Sequence, residues 1–176
     1  MVLDPPVACS LKPASRIDCV EELCMSLIDP GKKAPTFSLK DQEGKTHSLA
    51  DYAGKSVILY FYPKDDTPGC TTETCEFRDL LPKFKTSKAV VLGASILDEA
   101  SKAKFAAKHH VNFPLLADAD HAVAEKYGVW QEKSNYGKTY MGIVRTTYLI
   151  GPDGTVARRW DKVKVEGHAE EVLEAL

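Results

Sequence analysis

Ser56-Val-Ile-Leu-Tyr-Phe-Tyr-Pro-Lys-Asp-Asp-Thr-Pro-Gly-Cys-Thr-Thr-Glu-Thr-Cys75 reads as a strand that delivers a thiol to the mouth of a helix. Ser56 to Tyr62 is β-branched and aromatic without alternation, as a strand covered on both faces should be. A helix is expected from about Cys70, bent or ended near Pro82. Cys70 then sits in its first turn, where unpaired backbone N–H groups and the positive end of the helix dipole favour an anionic sulfur. Thr-Pro-Gly before it and Thr-Thr-Glu after it make that entrance polar. A second thiol, Cys75, follows five residues later. This is a layout for redox chemistry on cysteine.

Working outward, strands alternate with helices. Thr36 to Lys40 and Lys45 to Leu49 flank Gln42-Glu-Gly as a hairpin. Ala89 to Ile96 reads as a second buried strand, followed by a helix over Glu99 to Lys108. Phe113 to Leu116, a short helix over His121 to Tyr127, and a strand from Ile143 to Ile150 come next. Pro152-Asp-Gly turns that strand back into Thr155 to Trp160, and Glu166 to Leu176 closes the chain as a helix. The pattern predicts an α/β fold, a central mixed sheet flanked by helices with an amino-terminal β-hairpin.

With 176 residues and 44% hydrophobic residues, one compact domain over residues 26–176 is expected. Residues 1–25 read as an extension, either flexible or a short helix beginning near Ser15 to Asp18 with Ile17, Val20, Leu23, Leu27 and Ile28 on one stripe. That extension is too acidic for a typical organelle-targeting segment and lacks a signal-peptide pattern, so a cytoplasmic location is expected. The net charge of -2, spread along the chain, gives no basic patch for nucleic acid, and no apolar run is long enough for a membrane span. The cysteine count of five is odd and the spacing unlike a disulfide framework. Cys9, Cys19 and Cys24 read as unpaired tail thiols, with regulatory or intermolecular pairing of Cys19 and Cys24, which repeat the spacing of five, as the alternative. No metal or other cofactor is expected: the five histidines are scattered without zinc-ligand spacing and read as surface residues.

Around the central thiol, Pro63-x-x-x-Thr67-x-x-Cys70 has the spacing of the peroxiredoxin active-site loop. The longer string from Tyr62 to Cys75 resembles the peroxiredoxin Q branch, also called bacterioferritin comigratory protein. Pro35-Thr-Phe-Ser-Leu39, Phe113-Pro-Leu-Leu-Ala-Asp118, Gly142-Ile-Val-Arg145-Thr-Thr-Tyr148 and Gly167-His-Ala-Glu-Glu-Val-Leu173 extend the resemblance from about Ser26 to Leu176. It implies a thioredoxin-like fold and a cysteine-based peroxidase acting on hydrogen peroxide and organic hydroperoxides. The implied catalytic set is Cys70, Thr67, Arg145 and Pro63.

Each residue type suits the chemistry. A free thiol is mostly protonated at neutral pH, so the nucleophile needs electrostatic help. Arg145, on an otherwise apolar strand, can hold sulfur and peroxide oxygens with one planar fork. The Thr67 hydroxyl can donate to either, or simply cap the helix. Pro63 lacks an N–H and shapes the loop. Glu73 reads either as a carboxylate favoured by the helix dipole or as a partner that orients Arg145. Asp65 and Asp66 read as loop solvation and turn chemistry. Trp130 and the loop Lys133 to Met141 are candidates for a wall or docking surface.

The resemblance further implies that Cys75 resolves a Cys70 sulfenic acid into an intramolecular Cys70–Cys75 disulfide, reduced by thioredoxin or a glutaredoxin-like dithiol. In a regular helix two residues five apart have Cα atoms roughly 8–9 Å apart. A disulfide needs less than ~7 Å, so the first turns have to unwind. The branch implies a monomer, with a weak dimer as the alternative. Two other readings stand beside the peroxidase: a thiol–disulfide oxidoreductase, which calls for a cysteine where Glu73 stands, and a non-catalytic holdase or redox-signalling module.

Overall fold

A computed structural model describes residues 26–176; the amino-terminal extension, its expected helix, and Cys9, Cys19 and Cys24 lie outside the described residues. The first strands, β1 (Ser38–Lys40) and β2 (Thr46–Ser48), pair antiparallel as the expected hairpin. A 3-10 turn over Leu49–Tyr52 leads to β3 (Ser56–Phe61), and α1 (Pro68–Thr86) follows. Next come β4 (Ala89–Ser95), α2 (Glu99–His109), β5 (Leu115–Ala117) and α3 (Ala122–Lys126). The chain ends with β6 (Trp130–Asn135), β7 (Lys138–Ile143), β8 (Thr146–Ile150), β9 (Val156–Asp161) and α4 (His168–Glu174).

Seven strands form one mixed sheet in the order β2-β1-β5-β4-β3-β8-β9. β3 lies near its middle, parallel to β4 and antiparallel to β8. Its side chains divide by parity, as the pleat requires. Ile58 and Tyr60, with Tyr62 just beyond the strand, pack against Phe77, Leu81 and Phe84 of α1, Phe105 of α2 and Val172 of α4. Val57, Leu59 and Phe61 join the opposite layer with Val123 and Ala124 of α3. Both faces of β3 are therefore covered, which explains its unbroken apolar run.

The longest helix departs from expectation at both ends. It begins at Pro68, with Thr67 in the extended N-cap conformation, and it runs through Pro82 to Thr86. Cys70, Glu73, Thr74, Phe77, Leu81 and Phe84 make one buried stripe along it. Pro82 faces solvent while Leu81 and Phe84 on either side are buried, so packing carries the helix past the missing N–H.

The segment expected as a loop near Lys133 to Met141 is instead a separate two-stranded hairpin, β6 with β7. Tyr136 and Gly137 at its tip have φ of 49° and 76°, the two positive values that a type I′ turn needs. Its residues are largely polar and exposed, so no apolar alternation announced it. Two histidines expected at the surface are buried: His47 is held between Asp41 (2.6 Å) and Tyr52 (2.5 Å), and His168 between Phe77 and Trp160. No described helix is long and apolar enough to cross a membrane.

Candidate active site

The site lies where β3 gives way to α1. Pro63 to Thr67 form the connecting loop, with Asp66 in the left-handed region at φ 59°. Thr67 accepts the first helical bond through its carbonyl, from Thr71 N–H at 2.8 Å. Pro68 takes the first helical position, where an N–H has no partner in any case. Cys70 is thus the third helical residue, and the free N–H groups of the first turn surround its backbone.

The Cys70 side chain is buried, with 1% of its surface exposed. Arg145 Nη2 donates to Cys70 Sγ at 3.2 Å, and Nη1 of the same guanidinium donates to Glu73 Oε2. One fork therefore spans the thiol and the carboxylate one turn above it. Arg145 itself lies in the two-residue break between β7 and β8, not within a strand as its apolar neighbours suggested. Burial works against its charge, but Glu73 and Cys70 outweigh that and hold the guanidinium above its usual range.

Glu73 is fully buried, and Oε1 has no hydrogen-bond partner. Burial pushes its carboxyl up to about 7; the Arg145 charge pulls the other way without overcoming it, and Glu76 adds to the rise. Of the two sequence readings of Glu73, the arginine partner is the one realised. Close packing above the thiol is visible at Gly69, where an added Cβ would stand 3.4 Å from Arg145 Nη2.

Thr67 and Pro63 are both half-buried in the loop. The Thr67 hydroxyl donates to the Lys64 carbonyl at 3.1 Å and makes no bond to sulfur. Cys75 is half-buried further along the same unbroken helix, and both thiols are free.

The acidic pair before Cys70 divides. Asp66 is exposed and pairs with Lys108 and His109. Asp65 is buried, and its partner Lys102 has no exposed surface at all. Sequence reasoning missed Lys102. The available signal was a lysine one helical turn before Phe105, on the apolar face of α2. Among the described residues no cluster of three or more histidine, cysteine, aspartate or glutamate side chains could hold a metal. What is assembled is a buried thiol with a guanidinium against its sulfur, an arrangement suited to nucleophilic chemistry.

The AhpC/TSA family pattern matches residues 30–159. Peroxiredoxin Bcp of Bacillus subtilis is 48% identical over 149 residues, covering 85% of this chain and 95% of that protein. Peroxiredoxin Bcp of Escherichia coli K12 is 44% identical over 149 residues, covering 85% and 96%. Among solved structures, a cysteine-to-serine mutant of PrxQ from Xylella fastidiosa superposes with a TM-score of 0.81 at 40% identity, covering 85% of this chain and 96% of that one. The bacterioferritin comigratory protein of Xanthomonas campestris, studied for its alkyl peroxide reduction activity, has a TM-score of 0.79 at 42% identity, covering 84% and 96%.

Proposed function

The chain belongs to the AhpC/TSA family, within its peroxiredoxin Bcp and Q branch, and from that membership we propose that Cys70 is the peroxidatic sulfur and Cys75 the resolving one. The protein is a thiol peroxidase with a thioredoxin-like fold, taking peroxide and a thiol reductant as its substrates. The observation that supports the assignment is the Arg145 fork, which touches Cys70 Sγ at 3.2 Å while Glu73 holds its other arm.

In the first step the Cys70 thiolate attacks one oxygen of the peroxide. An S–O bond forms, the O–O bond breaks, and the second oxygen leaves with the bonding pair as alkoxide or hydroxide, to be protonated by solvent. Sulfur loses two electrons and becomes a sulfenic acid. Charge moves from sulfur onto the departing oxygen, so fixed donors around both atoms stabilise the transition state. Arg145 and the free N–H groups of the first helical turn are those donors. Thr67 occupies the N-cap position without a side-chain capping bond, and its hydroxyl can swing from the Lys64 carbonyl to the peroxide. Pro63 sets the loop and shields the sulfur.

In the second step α1 unwinds over its first turns and Cys75 attacks the sulfenic sulfur. The S–S bond forms, the S–O bond breaks, and hydroxide leaves as water. A thioredoxin or glutaredoxin-like dithiol then reduces the disulfide by exchange. The test is Cys75→Ser treated with one equivalent of peroxide. The variant is expected to consume it at the wild-type rate and keep a trappable sulfenic acid on Cys70, but to lose thioredoxin-driven turnover. Undiminished turnover would remove Cys75 from the cycle.

A further inference from the structure

The loop that carries the reactive thiol is held in an unusual way. Among the described residues, no backbone group from Pro63 to Asp66 bonds to another backbone group, and the one backbone acceptor used is the Lys64 carbonyl, by the Thr67 hydroxyl. The loop's position therefore rests on its side chains. Asp66 reaches Lys108 and His109, but that contact is exposed and solvated, the kind that contributes little. Asp65 makes the buried contact.

Around it, each buried side-chain nitrogen and oxygen has at least one hydrogen-bond partner. Lys102 Nζ donates to Asp65 Oδ1 at 2.9 Å, to Tyr62 Oη at 3.0 Å, and to Ser95 Oγ. Tyr62 in turn donates to Asp65 Oδ1 at 2.6 Å, and Ser101 Oγ donates to Asp65 Oδ2 at 2.8 Å. The ammonium also lies 4.8 Å from the centre of the Tyr62 ring. The ends of β3 and β4, the start of α2 and the thiol-bearing loop thus meet at one buried charge.

A buried ion pair is weak evidence of added stability, because desolvation offsets the attraction. Its sharper effect is geometric: satisfied buried polar groups admit few alternative arrangements. We propose that Lys102 and Asp65 are positioning residues for peroxide attack, fixing the Pro63–Cys70 loop so that sulfur, the first-turn N–H groups and Arg145 converge on one point. This rests on the reading of Cys70 as the peroxidatic sulfur. The anchor lies upstream of Thr67, whereas the unwinding that joins Cys70 to Cys75 occurs downstream of it. Attack and disulfide formation therefore depend on the anchor differently: attack needs the loop held still, and disulfide formation does not.

The test separates the two steps in the full chain. Asp65→Asn/Lys102→Met removes both charges together, so that neither is left buried and unpaired. Ser101→Ala removes only the hydrogen bond to Asp65 Oδ2 and leaves both charges paired. Peroxide attack is read in a Cys75→Ser background as the second-order rate of sulfenic acid formation with hydrogen peroxide. Disulfide formation is read by mass spectrometry after rapid quenching, with Cys75 present. Relative to wild type, the double variant is expected to lose tenfold or more in attack while forming its disulfide at an equal or greater rate. Ser101→Ala should fall between, and because it strands no charge it keeps the test open should the double variant fail to fold.

Attack within twofold of wild type in a folded variant would overturn the positioning role, as would equal slowing of both steps, the signature of a general loss of native protein. Wild-type protein and Cys70→Ser are run alongside. Wild-type protein that leaves peroxide untouched would overturn the reading of Cys70 and the positioning role with it; intact wild-type attack with an unaffected double variant overturns the positioning role alone.

Discussion

If the Cys70–Cys75 disulfide requires α1 to open, its rate of formation must follow helix stability at a position that touches neither thiol. Thr72 is such a position: it lies between the two cysteines on the exposed side of the helix. Its hydroxyl donates to the Pro68 carbonyl at 3.0 Å. Thr72→Ala and Thr72→Gly both lose that bond, so its contribution cancels between them. They then differ by the helix propensity of alanine against glycine, about 1 kcal/mol. With opening as a rapid pre-equilibrium, that difference makes the open state about fivefold more populated in Thr72→Gly. Disulfide formation after one equivalent of peroxide should be faster by the same factor, measured by quenched-flow alkylation and mass spectrometry. Sulfenic acid formation should differ by less than twofold, since it uses the closed helix. Equal rates of disulfide formation in the two variants would refute the opening step.

Arg145→Met removes the donor at Cys70 and should lower the second-order rate with peroxide by roughly 100-fold or more; Arg145→Lys should not restore it, because a single ammonium cannot span Cys70 and Glu73 as the fork does. A loss below tenfold in a stopped-flow assay would remove Arg145 from the catalytic set. For pH dependence, the Glu73 carboxyl is raised by burial from 4.5 to about 7, so the folded state holds its proton more tightly than the unfolded state. Its contribution is fully present below about 4.5 and is lost as pH rises toward 7, on the order of 3 kcal/mol. His168 opposes this: burial lowers it from 6.5 to about 4, so its contribution is present above 6.5 and lost as pH falls toward 4. Denaturant melts should therefore show Glu73→Gln gaining stability relative to wild type as pH rises from 4.5 to 7; a constant difference would contradict the sign. Gly93→Ala would place a Cβ 2.7 Å from Tyr60 Oη and 2.9 Å from Leu115 Cδ2, both in the packed core. A cost of about 1–3 kcal/mol is expected, read as a melting temperature lower by roughly 3–10 °C.

Local energetics made much of this protein legible from its residues. The run from Ser56 to Tyr62 could only be a strand covered on both sides, and Thr-Pro-Gly before Cys70 could only open a helix, because side-chain packing, φ restriction and capping act within a few residues. The amino-terminal hairpin and the alternation of strands and helices followed from the same short-range signals. The thiol's place in the first turn was fixed there.

Contacts between distant residues were another matter. Arg145 meets Cys70 across 75 positions, and Lys102 meets Asp65 across 37. Arg145 stood out in the sequence as the charge on an apolar stretch and through the family resemblance, while Lys102 left only its place on the apolar face of α2; each pairing depends on how the core brings α1, α2 and the β7–β8 break together. The same holds for Pro82, whose local preference to end a helix loses to the burial of Leu81 and Phe84 around it. The polar β6–β7 hairpin and the buried histidines belong here too. The residues alone determined that Cys70 would stand in the first turn of a helix and on what kind of scaffold; only the packed chain decided which charged groups around it are buried and paired, because burial and pairing are set by neighbours brought together from distant positions.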